Sequence, residues 1–101
     1  MRKWSDLRDI LYEILGSKNV YYQPPSTIRM KYPCIRFERD YQDIKHADNN
    51  PYRHLNRYSV TVITTDIESD IPDKVSHLQT ARYDREYKSD GLYHTVYTIY
   101  F

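Results

Sequence analysis

The chain has 101 residues, 15 Lys and Arg against 14 Asp and Glu, one cysteine, and twelve tyrosines against two phenylalanines and one tryptophan. That length suits one domain spanning residues 1–101 and hides about two thirds of the unfolded surface, which excludes a second independent core and leaves little stability to spare. A formal charge of +1 and two glycines exclude a global basic field for DNA and a glycine-rich phosphate loop, while a lone Cys34 excludes an internal disulfide or a CxxC site within one chain.

The opening stretch MRKWSDLRDILYEILG carries charges through its apolar residues and has no small-residue cleavage motif, and no run approaches membrane-spanning length. A chain made and kept in a cytoplasm, or in something assembled there, with no membrane partner, is expected. Trp4, Leu7, Ile10, Leu11, Ile14 and Leu15 recur at three- and four-residue spacings, which predicts one apolar helix face over 5–15. Ser5 is the expected N-cap, Asp6 and Asp9 suit the positive end of the helix dipole, and Gly16 is the expected stop.

A short strand is predicted at Val20–Tyr22, followed by an extended crossing, because Gln23-Pro24-Pro25 cannot sit inside a ladder. From Cys34 to Tyr41, Ile35 and Phe37 alternate with Arg36 and Glu38, the period of a half-buried strand. Cys34 reads as a small, half-buried packing residue. The run YSVTVITT, Tyr58 to Thr65, is the strongest strand signal, with Tyr58, Val60 and Val62 on one face and Ile63 on the other.

DIESDIPDKVSHL predicts a short helix with Asp70 as cap, Pro72 in the first turn, and Ile71, Val75 and Leu78 on one stripe. Two more strands, Arg82 to Lys88 and Leu92 to Phe101, are joined by Ser89-Asp90-Gly91, a hairpin signal. Val96 and Ile99 have opposite parity, so cover is expected on both faces of the last strand. Strands grouped beside separate helices predict an α+β fold: a mainly antiparallel sheet covered by two helices, with a long hairpin arm.

That arm, Asp40 to Arg57, holds the chemistry-bearing side chains. His46, Asp48 and His54 are able to ligate a metal, yet their spacing matches no zinc signature. Ser59 and Ser76 lack a nucleophile elbow, and Cys34 has no histidine beside it in sequence. Convergent polar groups for an enzyme pocket are not visible, so no enzymatic activity, cofactor or metal is expected. Long connections without structure of their own are uncommon in compact domains and often functional. The expectation is a partner-contact arm using Lys45, His46, Tyr52, Arg53, His54, Leu55 and Arg57, mobile in the isolated chain and ordered against a neighbour.

The stretch YPCIRFERDYQDIKHADNNPYRHLNRYSVTVITTDIESDIPDKV, followed by LYHTVYTIYF, resembles the tail-completion or tail-terminator proteins of tailed bacteriophages. The likeness covers most of the chain after Asn19. It rests on the YP before a strand, the RYSVTVIT strand leading to an Asp-rich cap and short helix, and an aromatic TIYF ending. The resemblance implies a structural virion subunit forming a ring, usually a homo-hexamer, at the head-proximal end of the tail. The ring would end tail-tube growth and join the tube to the head-tail connector or stopper protein. It also implies non-specific passage of genomic DNA through the channel, and assembly in the host cytoplasm. A small host-directed binding module, an inhibitor or adaptor without enzymatic activity, is the competing expectation.

Overall fold

The computed structural model describes residues 4–24, 29, 31–47, 50–78 and 80–101, with side chains described except at 41–47 and 50–55. Its elements run α1 (Trp4–Leu15), β1 (Val20–Tyr22), β2 (Cys34–Ala47), β3 (Asn50–Thr64), α2 (Ile71–Ser76), β4 (Arg82–Ser89) and β5 (Leu92–Tyr100). The five strands form one mixed sheet in the order β1-β2-β3-β5-β4. Only β1 and β2 pair in parallel; the other three pairings are antiparallel. The fold is α+β, and the element order follows the sequence patterning throughout.

Both helices lie on one face of the sheet. Leu7 and Leu11 of α1 and Val75 of α2 are fully buried with Ile35 and Phe37, with Tyr58, Val60 and Val62, and with Tyr97 and Ile99. These strand residues alternate along β2, β3 and β5, so the period of two sends one set to the helices. A line of rings ties the layers together: Trp4 stacks on Tyr22 at 4.4 Å, Tyr22 tilts onto Phe37 at 4.9 Å, and Phe37 onto Tyr58 at 6.1 Å. Offset and tilted rings at such separations add about 0.5–1.5 kcal/mol per pair beyond area burial.

The opposite face has no helix among the described elements, yet Cys34, Ile63 and Val96 on it are 0%, 4% and 1% exposed. In register, Ile63 is opposite Cys34 on one side and His94 on the other, and Val96 lies between Thr61 and Arg85. Long side chains therefore flank the small apolar ones, and Tyr87 stacks on His94 at 4.6 Å. Such stems cover apolar surface while their polar ends stay in water. Cys34 is thus fully buried and not half-buried, because the β2–β3 pairing places Ile63 directly opposite it.

Two expectations need correction, the Ser5 cap and the irregular 40–57 connection, and two details add to the reading. The helix begins at Trp4, so Ser5 lies within its first turn and is not the cap. Asp70 holds the N-cap position of α2 but makes no capping hydrogen bond; the Ser69 hydroxyl accepts from the Ile71 N–H at 3.3 Å, and Asp70 faces Lys74 at 3.5 Å. The parallel partner of β1 was not anticipated. Most importantly, the 40–57 connection is not irregular. β2 and β3 continue through it as one ladder to Ala47 opposite Asn50, with bulges at Arg39/Tyr41 and Lys45/His46. Pro72 falls in the first turn of α2 as the patterning requires, whereas Pro51 lies inside β3, opposite His46; Tyr32–Pro33 is cis and precedes β2, and Pro25 of the Gln23-Pro24-Pro25 step lies outside the described residues.

The two glycines serve as helix stop and hairpin turn. Gly16 has φ +78° and its N–H donates to the Tyr12 carbonyl at 2.9 Å. Asp90 (φ +54°) and Gly91 (φ +75°) are both left-handed, the requirement of a tight two-residue hairpin loop.

Burial pushes the Cys34 thiol up from 9.0 to about 11 and raises the hydroxyls of Tyr58 and Tyr97 above their ordinary value. For each, the fold favours the protonated form. The stability they contribute is therefore complete below the unfolded-state value and lost as pH climbs through the folded one. Denaturant titrations should show the midpoint falling as pH rises from 9.0 to about 11, with a loss on the order of 2 kcal/mol from the thiol. A flat midpoint across that window would contradict the burial. Cys34→Ala should cost about 1 kcal/mol, and Cys34→Ser more, about 1–3 kcal/mol, because its hydroxyl would be buried with no partner provided for it. In the native chain the thiol should resist alkylating reagents until denaturant is added.

Candidate interaction surfaces

Three surfaces follow from this architecture. The first is the arm. β5 pairs with β3 only from Arg57 to Thr64, and β1 pairs with β2 only at Ile35 to Phe37. Beyond those limits β2 and β3 pair only with each other among the described strands. Six residues of β3, 50–55, thus project about 20 Å past the sheet at about 3.3 Å per residue. The long axis of 52 Å against 28 and 23 Å fits that projection.

At the arm's base, Asp40 is the bulge residue skipped between Arg39 and Tyr41. Its carboxylate accepts from Arg57 Nε at 2.9 Å. Hydrogen bonds to Asp40 and then to Tyr100 hold the Arg57 guanidinium charged, raised above its ordinary range. The pair is about one-third exposed, so it orients the arm more than it stabilises the fold. Arg57 is therefore engaged within the chain. Buried Asn56, 3% exposed, anchors the same point, its carbonyl accepting from the Phe101 N–H at 2.9 Å.

The side chains of Lys45, His46, Tyr52, Arg53, His54 and Leu55 lie outside the described residues, as does Asp48 altogether. Their strand positions are defined. Lys45 is directly opposite Arg53, Ile44 opposite His54, and Asp43 opposite Leu55. Like charges directly opposite in an antiparallel pair destabilise it unless a counter-charge is supplied. Among the described residues no group of three His, Cys, Asp or Glu is arranged to hold a metal.

The second surface is the free edge of β4. All eight of its residues are exposed, Tyr83 by 62% and Tyr87 by 43%. An unpaired edge is a template for another strand, which charges along it restrain; Arg82, Asp84, Arg85, Glu86 and Lys88 are such charges. Past its start, the Thr80 hydroxyl donates to the Tyr100 carbonyl and accepts from the Tyr100 N–H, closing the adjacent edge of β5.

The third surface was not anticipated from the sequence. A groove of about 430 Å³ runs between the 64–69 loop, the start of α2 and the strands β4 and β5. Asp66, Glu68, Asp73 and Glu86 line it, with no lysine or arginine among its lining residues. Tyr93, Thr95 and Tyr97 form its floor, since these alternate residues of β5 face the helices. Burial, and next the charges of Asp73 and Glu86, raise the Tyr97 hydroxyl. Thr95 is 6% exposed and its hydroxyl makes no hydrogen bond among the described residues. The signal available in sequence was the acid-rich DIESD run; what hid the site was that Glu86 arrives from a strand twenty residues later.

No helix among the described residues is long and apolar enough to cross a membrane. No protein-family model matches the sequence, and no characterised protein matches it.

Proposed function

We propose that this chain is a structural subunit of a bacteriophage tail, assembling into a ring at the head-proximal end of the tail tube, where it ends tube growth and joins the tube to the connector. The observation that carries the reading is the arm. A two-stranded ladder projecting about 20 Å from a small body has both edges unpaired among the described strands and is marginally stable by itself in water. A partner surface supplies the missing cover. The exposed tyrosines and free edge of β4 provide a further contact strip on the other side of the sheet. A protruding element on one side and a receptive one on another suits head-to-tail interfaces, which close into a ring when their rotation permits. The likeness of YPCIRFERD, RYSVTVIT and TIYF to tail-terminator proteins supports the same assembly, with near-neutral charge suited to a channel through which DNA slides.

The test is the mass of the native chain, alone and with tail tubes. Ring-sized particles, and ring density at one end of each tube, are expected. A monomer that captures a host protein and leaves tube length uncontrolled would replace this reading with that of a host-directed binding module.

A further inference from the structure

The acidic groove and the basic rung of the arm lie at opposite ends of the same strand. Thr64, at the end of β3, lines the groove, whereas Arg53, opposite Lys45, lies eleven residues earlier. At about 3.3 Å per residue the two are about 36 Å apart along a straight ladder. An arm therefore cannot reach the groove of its own chain.

We propose that the groove receives the Lys45–Arg53 rung of the arm of a second copy, joining subunits head to tail. This deepens the ring reading above and rests on it for closure. Three observations support the pairing. The rung sets two cations opposite each other, a destabilising arrangement that an added anion relieves. The groove is lined by four carboxylates, with the chain's own Lys88 only at its rim, together with tyrosine faces that favour a guanidinium or ammonium ion. Its floor also holds the buried Thr95 hydroxyl without a hydrogen-bond partner among the described residues, a group that a docked side chain would satisfy. Among the described residues the carboxylates are not clustered as metal ligands, which favours an extended organic cation over a single ion. Ile67, 70% exposed, and Tyr83, 62% exposed, flank the groove and give it an apolar rim. Lys88, at 5.2 Å over the Tyr93 ring, shows that this floor already accepts a cation from its own chain at the rim.

The experiment uses two full-length variants. Asp73→Asn with Glu86→Gln removes two of the groove's four carboxylates, and Lys45→Ala with Arg53→Ala neutralises the rung. Each should raise the concentration needed for half-assembly at least about tenfold, as removing charge-assisted interface pairs does, with unchanged melting of the monomer. Mixed, they retain one sound rung and one sound groove, so sedimentation should show heterodimers and nothing larger. Parent-like assembly of the groove variant, or a mixture without heterodimers, overturns the proposal. A second measurement does not depend on affinity. In a Cys34→Ala background, Arg53→Cys with Glu68→Cys should oxidise to a ladder of cross-linked multimers, and cross-linking limited to dimers would overturn the head-to-tail contact. Rings of the groove variant that cap tubes would remove this contact and leave the tail reading. Groove-dependent oligomers that fail to cap tubes would do the reverse, and a wild-type chain that stays monomeric would overturn both.

Discussion

Replacing Val96 by aspartate is expected to leave no folded, soluble chain. Val96 is 1% exposed on the face of the sheet without helices, in register between Thr61 of β3 and Arg85 of β4. A carboxylate there loses its water. It either stays charged at a cost of several kcal/mol or takes up a proton and remains a poorly satisfied polar group. A domain of this size has a net stability of about 5–10 kcal/mol, so the substitution removes most of it. Arg85 is the one cation in register beside the site, and its own side chain is 62% exposed. An ion pair with it would be largely screened. Val96→Ala serves as the control and should cost about 1–3 kcal/mol while remaining folded. Circular dichroism and denaturant titration decide the matter: a Val96→Asp chain with native spectrum and midpoint would show that this face is open to water.

Deleting the arm should have the opposite signature, with the fold kept and assembly lost. Gln42 and Asn56 are register partners, so residues 43–55 are replaceable by Asn-Gly, the preferred two-residue hairpin loop. This retains Asn56, whose carbonyl holds the Phe101 N–H, and the Asp40–Arg57 pair. None of the buried core residues named above lies in the deleted segment. Stability should stay within about 1 kcal/mol of the parent, because closing a shorter loop changes the chain entropy little. Oligomers and tube capping should disappear. In the parent, amides of the arm should exchange faster than those of β3 from Tyr58 to Thr64 and gain protection on assembly, since a lone two-stranded ladder is marginal and a five-stranded sheet is not. An arm-less chain that still assembles and caps tubes would reduce the arm to a connection.

Most of the fold is legible in the residue pattern because burial has a period. Ile35 and Phe37 in one strand, and Tyr58, Val60 and Val62 in another, alternate at two and mark the apolar face of each; Leu7 and Leu11 in α1, and Ile71 and Val75 in α2, recur at helical spacing and mark the faces that cover the sheet. Asp90-Gly91 identified its hairpin because few other residues take positive φ at both positions. The arm was legible as a segment and as a site of basic residues, but not as a ladder. YQDIKHA and NPYRHLN lack clean alternation, and their strand state follows from pairing with each other, a non-local property that intrinsic preference does not encode.

Local chemistry thus determined by itself the order of helices and strands in the body of the domain, which side of each is apolar, and that an unusual polar segment lies between Tyr41 and Tyr58. Tertiary structure decided everything that depends on register. Pairing β1 in parallel with β2 made the sheet mixed. Placing Ile63 opposite Cys34 closed the second face over the thiol. Bringing Glu86 beside Thr95, across from the acids of the 64–73 segment, made a groove out of charges that are dispersed along the chain. Periodicity reports the orientation of a side chain relative to its own backbone, whereas a shared surface needs the relative placement of strands, which only long-range pairing sets.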